Sequence, residues 1–296
     1  LKGAFIIFYH KKELQYHAKP DKPDPVYAKK LQEVLGGQFG EITVAMQYLF
    51  QGWNCRGNEK YRDMLLDIGT EEMAHVEMLT TMIAQLLDSA PVETQETAAE
   101  DPVLKAVMGG MNPQHIIVSG LGAQPADSAG YPWNSKYTIA SGNLLADFRA
   151  NLNAESQGRL QVVRLYESTT DQGVRDMLSF LIARDTMHQN QWMAAIEDLE
   201  QQQSVVVPST FPKEKEKQEV AYSFMNFSEG TESQTGRWAG GTSMDQQGTF
   251  EYDGNPQPMG QVPFLHPAPP YIHDTPLSTD QHVNEKNSPG ENNTGL

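Results

Sequence analysis

Cysteine is almost absent from this 296-residue chain: Cys55 stands alone. No intramolecular disulfide is possible, so the fold must hold by packing, and a reducing compartment fits. Long apolar runs are missing as well. None approaches the roughly 20 residues that a membrane span needs. The stretch Ala4–Phe8 is too short for the apolar core of a signal peptide and lacks a cleavage pattern, which leaves the cytoplasm as the default expectation. Basic residues are scarce, 22 Lys and Arg against 38 Asp and Glu, for a formal net charge of −16. Such a surface repels phosphates and argues against nucleic-acid binding. The length suffices for one large domain with extensions or for two small domains.

What the chain does have is helical periodicity. The Pro-rich opening Pro20–Pro25 blocks an earlier start, and a helix is expected over Pro25–Asn54. After a Cys-Arg-Gly-Asn turn a second covers Glu59–Leu87; the third covers Ser141–Ser168 and the fourth Gly173–Gln201. Each far exceeds the usual three turns. Short links make antiparallel hairpins of the first pair and of the second. A long Pro- and Gly-rich crossover, Ser89–Ala140, separates the hairpins, with room for a short helix at Pro102–Met108. Two hairpins joined by one long crossover give an all-α, ferritin-like four-helix bundle. After Gln203 the composition turns to Pro, Gly, Asn, Gln and Tyr. Trp238, Phe250, Tyr252, Phe264 and Tyr271 are more aromatics than a disordered tail carries. The expected division is therefore a bundle domain over 1–203 and, over 204–296, an extended irregular arm that packs on neighbouring subunits of a homo-oligomer.

The inward stripe of each helix is interrupted at mid-length by polar residues. On the second helix Tyr61, Leu65, Ile68, Glu72, His75, Leu79, Met82 and Leu86 alternate by four and three, the spacing of one buried seam. The fourth helix repeats this through Val174, Leu178, Leu181, Asp185, His188, Trp192 and Ala195. The first runs Val34, Gln38, Glu41, Ala45, Tyr48, and the third Leu145, Phe148, Leu152, Glu155, Arg159, Val162. Any one of these interruptions is ordinarily a solvated pair or an exposed acid. Together they would bury several carboxylates at a cost of several kcal/mol per ion, with no obvious buried lysines or arginines to supply the counter-charges. Two divalent cations would supply the balance. One Glu from each of two helices, with a carboxylate-x-x-His from each of the other two, is the donor set of di-iron and dimanganese bundles.

Two features qualify that pattern. Glu71, four residues before His75, can also face it, although Glu72 stays on the seam. Asp185 stands where the symmetric scheme has Glu and is one methylene shorter. It is expected beside the metals as a proton carrier, with Glu72 bridging, Glu41 and His75 completing one ion, and Glu155 and His188 the other. Carboxylate and imidazole suit manganese and iron alike.

The runs LGGQFGEITVAMQYLFQGWNCRG, GTEEMAHVEML, NLNAESQGRLQ and ARDTMHQNQW closely resemble the manganese catalases, non-haem enzymes that dismutate hydrogen peroxide. The resemblance covers the four helices and reaches into the tail. It implies metal ligands Glu41, Glu72, His75, Glu155 and His188, with Asp185 and Tyr48 as acid and tyrosine beside them. It also implies a hexamer and a structural calcium at Asp63 and Asp67, with Asn226, Ser228 and Gly230 adding oxygens. Some members carry Arg directly before the third-helix glutamate; here Ala154 stands there, and Arg159 lies one turn after Glu155. The competing readings are a di-iron ferroxidase or oxidase on the same bundle and a non-catalytic coat component. A complete set of buried ligands argues against the latter. The histidines off the seams receive no role; for His115 in the crossover a surface or packing place outweighs the alternative of lining an access route.

Overall fold

Helix capping sets the frame. The computed structural model describes residues 10–88, 118–208, 211–266 and 268–273. Asp24 accepts from the Tyr27 amide, and Pro25, which needs no partner for an amide it lacks, opens α1, Pro25–Gly36. Helix α2 spans Glu41–Asn54 and α3 spans Glu59–Leu87 behind an Asn58 cap. Asn143 caps α4, Leu144–Glu167, and Asp171 caps α5, Gln172–Gln203, which stops where Ser204 turns left-handed at φ 52°. Asp147 accepts from the Ser141 and Gly142 amides and from the Ser141 hydroxyl, tying down the entry to α4. The expected short helix at 102–108 and His115 lie outside the described residues.

The helix expected over Pro25–Asn54 is in fact two. It stops at Gly36 and restarts at Glu41, and Gln38, placed on the seam by its spacing, is exposed. The local sequence Gly-Gly-Gln-Phe-Gly is a weak helix former, and the crossover presses against it. A Cβ at Gly36 would sit 2.5 Å from the backbone nitrogen and oxygen of Ala126. Thr43 closes the break by donating to the Gly37 carbonyl at 3.0 Å. Glu41 thereby becomes the first residue of a helix, where the exposed amide ends favour a negative charge.

Helix α2 packs along α3 and α4 along α5, while α1 continues the first layer against the C-terminal half of α3. Gly69 brings α2 and α3 close: a Cβ there would lie 3.1 Å from the Leu49 amide nitrogen. The described part of the crossover is fastened to α1 and α2 by buried amides. Gln32 donates to the carbonyls of Gln124 and Ala126, both at 2.7 Å. Gln47 and Gln51 donate to Asn151 at 2.8 Å each, and they hold the backbone of Ile139 as well. One apolar cluster, with Leu31, Leu79, Met82 and Leu178, fills one end of the bundle. The other, with Tyr48, Leu65, Phe148 and Trp192, fills the opposite end. Between them lie the seam carboxylates and histidines. No helix among the described residues is long and apolar enough to cross a membrane.

The chain divides into two compact units, Leu1–Lys215 and Glu216–Leu296. The second unit carries a one-turn helix, α6 (Gln218–Ala221), and a three-stranded sheet that the sequence reading did not specify. Strand β1 (Ser223–Met225) pairs in parallel with β3 (Thr249–Asp253), which pairs antiparallel with β2 (Gly241–Thr242). Phe224 and Tyr252 sit opposite each other in register with rings 5.3 Å apart, so aromatics that marked the segment as ordered are partly spent inside it.

Candidate metal centre

The carboxylates and histidines on the seams are buried. Glu41, Glu72, His75, Glu155, Asp185 and His188 expose between 0 and 7% of their surface. Helix α3 delivers Glu72 and His75 one turn apart, so their side chains stack on the same face. Helix α5 delivers His188, α2 delivers Glu41 and α4 delivers Glu155. The donor atoms fall into two groups, Glu41–Glu72–His75 and Glu72–Glu155–His188, and within each they lie no more than 4.8 Å apart. Glu72 belongs to both. One of its oxygens is 2.6 Å from His75 Nδ1 and the other 2.8 Å from His188 Nδ1. His75 Nδ1 is also 3.7 Å from Glu41, and His188 Nδ1 is 3.6 Å from Glu155.

Electrostatics show what this cluster needs. Burial raises the Glu41 carboxyl, with help from the charge on Glu72, to about 8. Burial and Glu72 likewise raise Glu155, and burial with Glu41 and Glu155 lifts Asp185 well above the usual carboxylate range. For Glu72 burial is overcome by His75 and His188, which hold it well below that range. Both histidines are in turn driven up against burial, chiefly by Glu72. Without cations, then, protons held on the histidines and on the raised carboxyls offset the buried charge. Glu72 Oε1 and His188 Nδ1, though 2.8 Å apart, are not aligned for a hydrogen bond, and neither they nor His75 Nε2 has a hydrogen-bond partner among the described residues. Orphaned buried donors and acceptors are costly. Two divalent cations would replace the protons and complete the lone pairs, and carboxylate plus imidazole is a donor set for manganese or iron. The residues fit a metal pair.

Other groups surround the cluster. Tyr48, fully buried against Trp192, donates to Glu155 Oε1 at 2.6 Å; burial and Glu155 raise its phenol well above the ordinary value. Glu71 does not join either group. Its carboxylate lies 3.1 Å from His188 Nε2 and takes a two-point contact from Arg184. The His188 contact crosses from α3 to α5, which is why spacing along α3 pointed Glu71 at His75 alone. A small pocket walled by Val34, Phe39, Ala154 and Gly158 opens onto Glu41, Glu155 and Asp185.

A family model for manganese containing catalases matches residues 7–289. The chain belongs to this family. A manganese catalase of Bacillus subtilis is 64% identical over 269 residues, covering 91% of this chain and 98% of that protein. One from Lactiplantibacillus plantarum is 49% identical over 267 residues, covering 90% of this chain and 98% of that one. The crystal structure of KatB, a manganese catalase from Anabaena, superposes with a TM-score of 0.66 at 26% identity, over 84% of this chain and all of that one.

For a manganese catalase, several sequence expectations meet here in one place: Glu41, Glu72, His75, Glu155 and His188 converge, with Asp185 and Tyr48 adjoining them. Ala154 lines the pocket that reaches Asp185. Arg159 points elsewhere, its Nε 3.3 Å from the Thr186 hydroxyl. Asp63 and Asp67 are exposed on α3. Asn226, Ser228 and Gly230 form a turn in the second unit, where the Asn226 side chain accepts from the Ser228 amide at 3.0 Å.

Proposed function

We propose that the chain dismutates hydrogen peroxide, 2 H₂O₂ → 2 H₂O + O₂, at a manganese pair held by Glu41, Glu72 and His75 on one side and Glu72, Glu155 and His188 on the other. The observation that carries the reading is the sharing of Glu72 between two buried three-donor groups in a member of the manganese catalase family. When bound, the pair supplies a two-electron couple, each ion moving between the divalent and trivalent states, so that neither half-reaction releases a radical.

The side chains handle position and protons. One peroxide gives up two electrons and two protons as it becomes O₂; the next takes up both as it becomes two waters. Asp185, whose buried surroundings raise its carboxyl, borders the pocket; it would accept a proton as one peroxide becomes O₂ and return it as the next becomes water. Tyr48 fixes the orientation of Glu155 through its hydroxyl. The pocket walled by Val34, Phe39, Ala154 and Gly158 is the side from which peroxide would approach Glu41, Glu155 and Asp185. The test is oxygen evolution from hydrogen peroxide after manganese loading, run beside iron loading. Vigorous release with manganese alone is expected. Rapid Fe(II) oxidation with little oxygen from either form would move the protein to the di-iron class.

Three finer readings go with this one. Asp63 and Asp67, one turn apart, offer hard oxygens for a calcium ion, and the Asn226, Ser228 and Gly230 turn offers others. A rise in melting temperature with calcium that Asp63→Asn abolishes is the expected outcome. The segment 204–296 serves as an arm that packs on neighbouring subunits of a homo-hexamer, and truncation after residue 215 should lower the mass seen by light scattering. The enzyme works in the cytoplasm, where its lone cysteine stays reduced; fractionation checks this.

A further inference from the structure

The two metal positions are built from equivalent donors but are not supported equally. On the far side of His188, Nε2 meets Glu71 Oε2 at 3.1 Å. On the far side of His75, Nε2 is 3.8 Å from the nearest Glu71 oxygen, outside hydrogen-bond range, and has no hydrogen-bond partner among the described residues. Glu71 is held in place from its solvent side. Arg184 Nε donates to one oxygen at 2.6 Å and Nη2 to the other at 3.1 Å, and Gln15 donates to the first at 2.8 Å. Arg184 sits one residue before Asp185 on α5, and Gln15 comes from the segment that precedes α1, so two stretches of chain besides its own helix fix one carboxylate. An acceptor at Nε2 keeps the proton on that nitrogen and leaves Nδ1, which faces Glu72 and Glu155, free to bind a metal. A carboxylate in that place also makes Nδ1 a stronger donor.

We propose that Glu71, clamped by Arg184 and Gln15, is a positioning residue that fixes the tautomer of His188 and makes the Glu155–His188 position bind its ion more tightly than the Glu41–His75 position. The inference rests on the two-metal reading above. It implies ordered loading: the Glu155–His188 position fills first, and the Glu41–His75 ion is the one that exchanges.

The test reads metal occupancy, not turnover. Crystals of the full chain prepared at limiting manganese, with anomalous scattering measured at both positions, should show the Glu155–His188 position filled ahead of the other. In Glu71→Gln that position should lose about 10- to 100-fold in manganese affinity with the other unchanged, so the order of filling evens out or reverses. Glu71→Asp, which keeps the charge but shortens the reach, should behave like Glu71→Gln and serves if that variant does not fold. Equal filling in the parent protein would overturn the inference. So would unaltered occupancies in either variant, or an equal loss at both positions. A parent protein that takes up no manganese pair would instead sink the proposed function, and the inference with it.

Discussion

Loading the metal-free centre with manganese should expel protons, and their number can be worked out from the buried groups. Metal ligands must be deprotonated. His75 and His188 are driven above neutrality by Glu72 and carry their protons at pH 7. Glu41, raised to about 8, carries most of one. Two manganese ions therefore displace about three protons at pH 7, and slightly more if Glu155 contributes. The sign follows directly. Protons compete with the metal, so the affinity product for the pair falls as pH drops and rises as pH climbs. Each released proton is worth about 1.4 kcal/mol per pH unit, so going from pH 7 to 6 weakens pair loading by about 4 kcal/mol. Above the Glu41 value its share disappears, and the count at pH 9 should be lower than at pH 7 by most of one proton. Calorimetric titration in buffers of different ionisation enthalpy counts the protons. A count of zero at pH 7, or one that grows between pH 7 and 9, would refute the electrostatic picture of the empty cluster.

Other perturbations have equally definite outcomes. Tyr48→Phe keeps the ring against Trp192 but removes the 2.6 Å hydrogen bond to Glu155; a bond to a charged group is worth about 1.5–3 kcal/mol, so manganese affinity measured by titration should fall about tenfold or more. Asn151→Ala deletes three buried hydrogen bonds to Gln47 and Gln51 and should cost about 3 kcal/mol or more in urea unfolding, with Gln51→Ala largely non-additive to it. Ala154→Phe fills the pocket beside Asp185 and should lower kcat/KM for peroxide while metal content, measured by atomic absorption, stays at the parent value.

The sequence was most legible where a residue's role depends on neighbours three or four positions away. All eight seam positions on α3 are buried, from Tyr61 to Leu86, because a 3.6-residue period leaves little choice once one face is apolar. Convergence of Glu41, Glu72, His75, Glu155 and His188 was readable for the same reason, combined with the cost of burying carboxylates uncompensated. Roles that depend on another segment were hidden. Gln47, Gln51 and Asn151 look like an ordinary solvated face until partners about 100 residues away in sequence enclose them. Glu71 does lie near His75, at 3.8 Å, but its hydrogen-bonded neighbours His188 and Arg184 lie on α5, beyond the reach of spacing along α3. The break at Gly36 is a different case. Its glycines were visible, but the seam spacing continues across Val34 and Glu41, and only the approach of Ala126 shows why the chain must open there.

The measurement that bears most directly on the central claim is a crystal structure of the manganese-loaded protein with anomalous data at the manganese edge. It should show two ions in the bundle, one on Glu41 and His75, the other on Glu155 and His188, with an oxygen of Glu72 on each and Asp185 bound to neither. A single ion, or a pair in which Asp185 is a ligand or Glu72 touches only one metal, would contradict it.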